Sequence, residues 1–175
     1  NHGWLKANHH FSFAHYYNPE RMGFGTLRVV NDDWVKAGTG FSAHPHRNME
    51  IITYIRSGEI THQDSEGNKG VTRPGEVQVM SAGSGVVHSE HNYSNEPLTL
   101  FQIWIEPNKS GVKPRWDARQ FPAELNQEGL PLLVSGFEED TDAALFIHQH
   151  ARIFGGKVAK AATFSHEITH QAYVV

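Results

Sequence analysis

The sequence predicts an all-β fold, an antiparallel sandwich or barrel built from short strands. Runs rich in β-branched and aromatic residues recur at short spacing, and Gly- or Pro-containing turns separate them. Amphipathic helical periodicity is scarce. The 175-residue length allows one or two domains with a real core, and 38 % apolar against 19 % charged residues fits a folded chain.

The elements follow in order. Residues 25–30 (GTLRVV) read as a strand closed by the turn formers Asn31-Asp32-Asp33. Residues 49–56 (MEIITYIR) stop at Ser57-Gly58, a hairpin signal, and residues 59–64 (EITHQD) return toward Ser65-Glu66-Gly67-Asn68. Pro74-Gly75 sets a turn before residues 76–80 (EVQVM), which end in the small-residue run 81–85. Residues 86–91 form a short strand, and residues 98–105 (LTLFQIWI) form the most apolar one. Residues 107–122 carry three prolines and few periodic apolar positions, so they read as linker. Short strands resume at 132–135, 144–148, 151–154 and 170–175, too few for a second complete barrel. The chain opens at Asn1 and stops on an apolar run, so missing residues are expected at both ends.

Composition excludes several functions. With no cysteine there is no disulfide framework, Cys-ligated zinc, iron–sulfur cluster or thiol nucleophile. Fifteen basic against nineteen acidic residues give a net charge of −4, which argues against direct nucleic-acid binding. No apolar stretch approaches the roughly 18 residues of a membrane span, and no signal-peptide pattern opens the chain, so a cytoplasmic protein is expected. The thirteen histidines remain to be explained.

Their spacing is the sharpest signal. In His44-Pro45-His46 the positions i and i+2 of an extended segment share a face, so two imidazoles can chelate one ion. His88-Ser89-Glu90 repeats that geometry. Two neighbouring strands each giving such a pair supply three nitrogens and one carboxylate oxygen. This set suits a divalent first-row metal, and six-coordinate geometry leaves positions open for substrate and dioxygen.

The surroundings match known motifs. Gly38, His44, His46 and Glu50 follow the first cupin motif, and Gly75…Ala82-Gly83…His88…Asn92 resembles the second. The departures are seven residues rather than six between Glu50 and Gly58, Ser81 in place of proline, and four residues rather than two between Gly83 and His88. They point to one branch of the cupins. With NHGWL (1–5), residues 11–33, 44–68 and 74–92, and LFQIWI (100–105), the sequence resembles the bacterial pirin-like proteins.

The resemblance implies a jelly-roll β-barrel of the cupin type in a bicupin whose N-terminal barrel alone holds metal. The expected division is a metal-binding cupin domain over residues 1–106, a linker over 107–130 and a partial C-terminal cupin domain over 131–175. It implies His44, His46, His88 and Glu90 as ligands, whereas the generic cupin pattern takes Glu50 as the carboxylate; the two readings share the three histidines. Glu50 is otherwise expected beside the ligands, on the face of His44 and His46, and His62 at the metal pocket or the hairpin end. His9, His10 and His15 are expected in a solvent-facing or backbone-bonded role. His148, His150, His166 and His170 are not expected as ligands. Phe11, Phe13, Tyr16, Tyr17 and Phe24 are expected as core or as the wall of a flat aromatic entrance.

The function this implies is quercetin 2,3-dioxygenase activity, in which O2 opens a flavonol ring and carbon monoxide leaves. One divalent ion is expected, iron(II) first, with zinc, cobalt, nickel, manganese or copper as substitutes, and Glu90 as proton acceptor. The second function, also implied by the resemblance, is a non-enzymatic regulator: a transcription cofactor (nuclear if eukaryotic), an enzyme-binding modulator or an iron redox sensor. An isomerase- or storage-type cupin is the third. A monomer without a membrane partner is expected.

Overall fold

The computed structural model describes residues 2–122, 124 and 129–175; residues 123 and 125–128 of the expected linker lie outside the described residues. In chain order the strands are β1 (Leu5–His9), β2 (Leu27–Val35), β3 (Gly40–His46), β4 (Glu50–Ser57), β5 (Ile60–Asp64), β6 (Lys69–Thr72) and β7 (Glu76–Ser81). There follow β8 (Val86–His91), β9 (Leu98–Ile105), β10 (Arg115–Gln120), β11 (Leu132–Ser135), β12 (Leu145–Phe146) and β13 (Arg152–Phe154). Among the described residues, one 3-10 turn spans Glu138–Asp140. The fold is therefore nearly all β, as the sequence predicts.

Three sheets result: six strands in the order β1-β2-β9-β4-β7-β10, four in the order β3-β8-β5-β6, and three in the order β12-β11-β13. The larger two pack face to face in the jelly-roll arrangement. The expected hairpin at Ser57-Gly58 is instead a crossing between sheets: β4 pairs with β7 and β9 and β5 with β6 and β8, and the link between them turns on Gly58, whose φ is +76°. A Cβ there would stand 2.7 Å from the Pro97 carbonyl oxygen and 2.8 Å from Leu98 Cα, so only glycine fits both the dihedral and the space.

Strand alternation builds the interior. Along β4, Ile51 and Ile55 face inward with Thr53 between them, and along β9 Gln102 stands between Leu100 and Trp104. Ile55, Leu98 and Leu100 join Val35 and Ile60 in one apolar cluster, and Ile51 joins Met80, Ala82 and Val86 in another. A polar belt lies between them: Asn31, Asp33, Thr53, Gln78 and Gln102 from the six-stranded sheet meet His62, His88 and Glu90 from the four-stranded sheet, all buried. The outward residues Ile52, Val77, Val79 and Ile105 form a third core with Phe121, Leu133, Val134, Leu145 and Ile147, which places the small sheet over the large one. Each such side chain contributes roughly 1.5–3 kcal/mol when fully buried.

Three further segments depart from expectation. Asn31-Asp32-Asp33 is no turn: β2 runs through it, flanked by β1 and β9. Pairing on both sides overrides turn propensity, with Asn31 accepting from His9 Nδ1 at 2.9 Å and Asp32 pairing with Arg56 on the other face. Within the expected linker, β10 pairs along its whole length with β7, forming the sheet's edge. Residues 170–175 form no strand; Tyr173 instead lies against Phe11 and Phe24, and its hydroxyl is 3.0 Å from His10 Nδ1.

Candidate metal centre

Antiparallel pairing of β3 with β8 sets His44 opposite His88 and His46 opposite Val86. The three imidazoles gather as the i, i+2 spacing predicts. Ring centroids lie 4.8 Å apart for His44 and His46, 4.5 Å for His44 and His88, and 4.9 Å for His46 and His88. The Nε2 atoms of His88 and His44 are 3.0 Å apart, and His46 Nε2 is buried without a hydrogen-bond partner among the described residues. The Ser42 carbonyl accepts from His44 Nδ1 at 2.6 Å, so His44 carries its proton there and turns the Nε2 lone pair toward its neighbours. Burial, then the adjacent His44, pulls the His46 imidazole down to about 4. Burial, then His44, His46 and His62, pulls His88 down to about 3. Both are neutral near pH 7, the state in which imidazole binds metal.

Glu90 lies deeper. Its carboxylate groups with His62 and His88, while His44, His46 and His88 form a second group of candidate ligands sharing His88. Gln78 Nε2 donates to Glu90 Oε1 at 2.7 Å and Gln102 Nε2 to Oε2 at 2.8 Å. Gln78 is in turn held by the Thr72 hydroxyl at 2.9 Å and the Trp116 indole at 3.3 Å, and Gln102 by the Trp104 indole at 3.3 Å. Burial pushes the Glu90 carboxyl up, opposed by His62, Gln102, His44 and Gln78. Asp33, on the same inner face, is raised to about 7 by burial, then by Asp32 and Glu90. These glutamines escaped sequence reading. Their signal was an amide in the middle of an apolar strand, Gln102 in LTLFQIWI.

Glu50 is elsewhere. Asn48, with φ +46°, breaks the extended run between β3 and β4, so alternation does not carry the histidine face onto Glu50. The fully buried Glu50 lies on the outer face with Ile52, accepting from Ser81 Oγ at 2.7 Å and contacting His148 Nδ1 at 3.2 Å. Ser81, the residue standing in place of motif proline, thus anchors this carboxylate.

His62 is fully buried beside the cluster, with Nδ1 3.4 Å from His88 Nδ1 and Nε2 2.8 Å from Asp64 Oδ2. Its ring stacks on Trp116, 5.2 Å between centroids at 10°. Although burial works against it, hydrogen bonds from His62 and Asn68 hold the Asp64 carboxyl below its ordinary value. A file of aromatic contacts leads outward: His46 to Trp104 at 4.9 Å, Trp104 to Phe13 at 5.3 Å, Phe13 to His9 at 5.3 Å, and His9 stacked on Tyr16 at 6.2 Å. A depression of about 380 Å³ opens beside His46, lined also by Pro45, Arg47, Ser65 and Val87. His10 meets Tyr173, His15 is exposed, His150 stacks on Phe137, and His166 meets Phe154. His170 is exposed and its Nδ1 lies 3.0 Å from the Thr169 hydroxyl.

Against known proteins, the family model described as pirin matches residues 1–105. The chain belongs to the pirin family. It is 51 % identical over 176 residues to a pirin-like protein of Caulobacter vibrioides, covering 99 % of this chain and 75 % of that protein. It is 46 % identical over 175 residues to a protein of Escherichia coli named quercetin 2,3-dioxygenase, covering 99 % of this chain and 74 % of that one. The crystal structure of YhhW from E. coli matches with a TM-score of 0.82 at 49 % identity, over 88 % of this chain and 64 % of that chain. The bacterial pirin YhhW in complex with nickel(II) matches with a TM-score of 0.81 at 48 % identity, over 88 % and 65 %. The chain spans about three-quarters of the length of these curated relatives and just under two-thirds of the YhhW chain. The cupin jelly roll expected from the motifs is the fold observed. No helix among the described residues is long and apolar enough to cross a membrane.

Proposed function

We propose that the chain is a metal-dependent dioxygenase that opens a flavonol ring with O2 and releases carbon monoxide, His44, His46, His88 and Glu90 holding one divalent ion. The observation that carries this reading is the convergence of three imidazoles, two with Nε2 atoms 3.0 Å apart and the third with a buried Nε2 that has no partner. A buried polar atom left unpaired costs roughly 1–3 kcal/mol, which a shared cation offsets. The donor set of nitrogens and one oxygen fits a first-row divalent metal, iron(II) first and nickel(II) among the substitutes. The name of the E. coli relative supports the reaction class, and the nickel(II) complex of the bacterial pirin supports the metal.

When bound, such an ion supplies Lewis-acid activation of a phenolic oxygen and a meeting point for that oxygen and O2. The remaining work falls to the chain's own side chains. Trp104 and Phe13 offer aromatic surface beside His46 for a planar substrate. Glu90, fixed by Gln78 and Gln102, keeps a second lone pair on each oxygen and accepts the proton of the substrate hydroxyl. The buried belt around it excludes water from that transfer.

The test is carbon monoxide release from quercetin under O2, with protein loaded in turn with iron(II), nickel(II), manganese(II) and cobalt(II). Release that the His46→Ala variant lacks is expected. No carbon monoxide with any of the four ions overturns the reading.

A further inference from the structure

We infer that Asp64 and His62 are positioning residues that fix the proton of His88 on Nδ1 and so turn its Nε2 lone pair toward His44 and His46. This rests on the proposal that His88 is a metal ligand. The β5–β8 pairing sets His62 opposite Glu90 and Asp64 opposite His88, which brings the three groups into line. Asp64 is immobilised: its Oδ1 accepts from the backbone N–H groups of Glu66 and Asn68, each at 3.0 Å, and from the Asn68 amide at 3.1 Å. Its Oδ2 lies 2.8 Å from His62 Nε2, and the side chains of both residues are 1 % exposed.

With His62 as a neutral imidazole, the donor and acceptor roles propagate along the chain from Asp64 to His88. A carboxylate only accepts, so the His62 proton is on Nε2. His62 Nδ1 is therefore a lone pair, and it faces His88 Nδ1 at 3.4 Å. That contact closes only if His88 donates from Nδ1. His88 Nε2, 3.0 Å from His44 Nε2, is left as the free lone pair. Trp116, stacked on His62, and Gly70 beneath Trp116, where any Cβ would collide with the indole, hold the middle ring in plane. The arrangement is a carboxylate–imidazole–imidazole chain, one link longer than the common carboxylate–histidine support of a metal ligand.

Asp64→Asn inverts it. The backbone donors keep an oxygen at the Oδ1 position, so the new NH2 faces His62 Nε2 and donates to it. His62 must then carry its proton on Nδ1, and His88 must carry its own on Nε2, aimed into the cluster. The experiment measures nickel(II) affinity by calorimetry and histidine tautomers by nitrogen NMR of metal-free protein. For Asp64→Asn the expected result is a 10- to 100-fold weaker nickel(II) affinity, with the His88 proton moved to Nε2. His62→Gln, whose oxygen accepts from His88 and whose NH2 donates to Asp64, retains most of the affinity.

Asp64→Asn binding nickel(II) like the unaltered protein, with the His88 tautomer unchanged, overturns the inference while loss of binding in His46→Ala still upholds the site. Equal binding by the unaltered protein and His46→Ala instead overturns the site itself. A second equivalent of nickel(II) lost in His62→Gln also overturns the inference, since His62 Nδ1 then serves an ion.

Discussion

Asp33 is 3 % exposed, and its Oδ1 lies buried with no hydrogen-bond partner among the described residues. Its carboxyl is raised from 3.8 to about 7 by burial, then by Asp32 and Glu90, so the folded chain holds this proton more tightly than the unfolded chain does. The stability tied to that proton is fully present below the unfolded value and is lost as pH rises through the folded one. At roughly 1.4 kcal/mol per unit, a rise of about three units amounts to about 4 kcal/mol, a large share of the 5–15 kcal/mol that holds an ordinary domain. Asp33→Asn removes the titration. Urea unfolding followed by tryptophan fluorescence, in chelator and between pH 4 and 8, is the assay. The unaltered protein is expected to lose about 4 kcal/mol more than the variant across that range, the two curves converging at the acid end. Glu90 contributes a slope of the same sign to both proteins, so their difference reports Asp33 together with its coupling to Glu90. Parallel curves would refute the reasoning.

Gln102→Leu takes a donor from Glu90 Oε2 and leaves the Trp104 indole without its acceptor, so a stability loss of about 1.5–3 kcal/mol and weaker nickel(II) binding are expected by thermal unfolding and calorimetry. His148→Ala removes a partner of buried Glu50 while Ser81 keeps its own bond; about 1–3 kcal/mol of stability should go, with nickel(II) affinity unchanged. A weaker affinity in that variant would place Glu50 among the ligands after all.

The strands legible in the sequence were those whose signals are local. Val86–His91 and Leu98–Ile105 have the bounds that hydrophobicity and turns assign them, and the shared face of His44 and His46 follows from the pleat alone. What stayed hidden depends on partners distant in sequence. Asn31, Asp32 and Asp33 read as a turn because nothing nearby announces β1 and β9 on either side. Arg115–Gln120 has no alternating apolar face, and edge pairing to β7 is what makes it a strand. The position of Glu50 depends on one left-handed residue, Asn48, beyond which Glu50 lies on the opposite side of the large sheet. The glutamines around Glu90 belong to strands whose pattern describes only apolar packing.

The order of strands in the large sheet bears on how the chain is made. β9 sits between β2 and β4, so the two earlier strands have no common neighbour until residue 105 has left the ribosome. The outer face they build then waits for Leu133, Val134, Leu145 and Ile147, synthesised still later. Until those arrive, a growing chain carries unpaired strand edges and bare isoleucine and valine at once, the exposure that chaperones exist to shield. Pairings this far apart in sequence also make folding slow, since the chain must close long loops before contacts reward it. The polar belt between the two sheets is complete only when β9 brings Gln102 to Glu90, although the strands that carry its histidines are all made by residue 91.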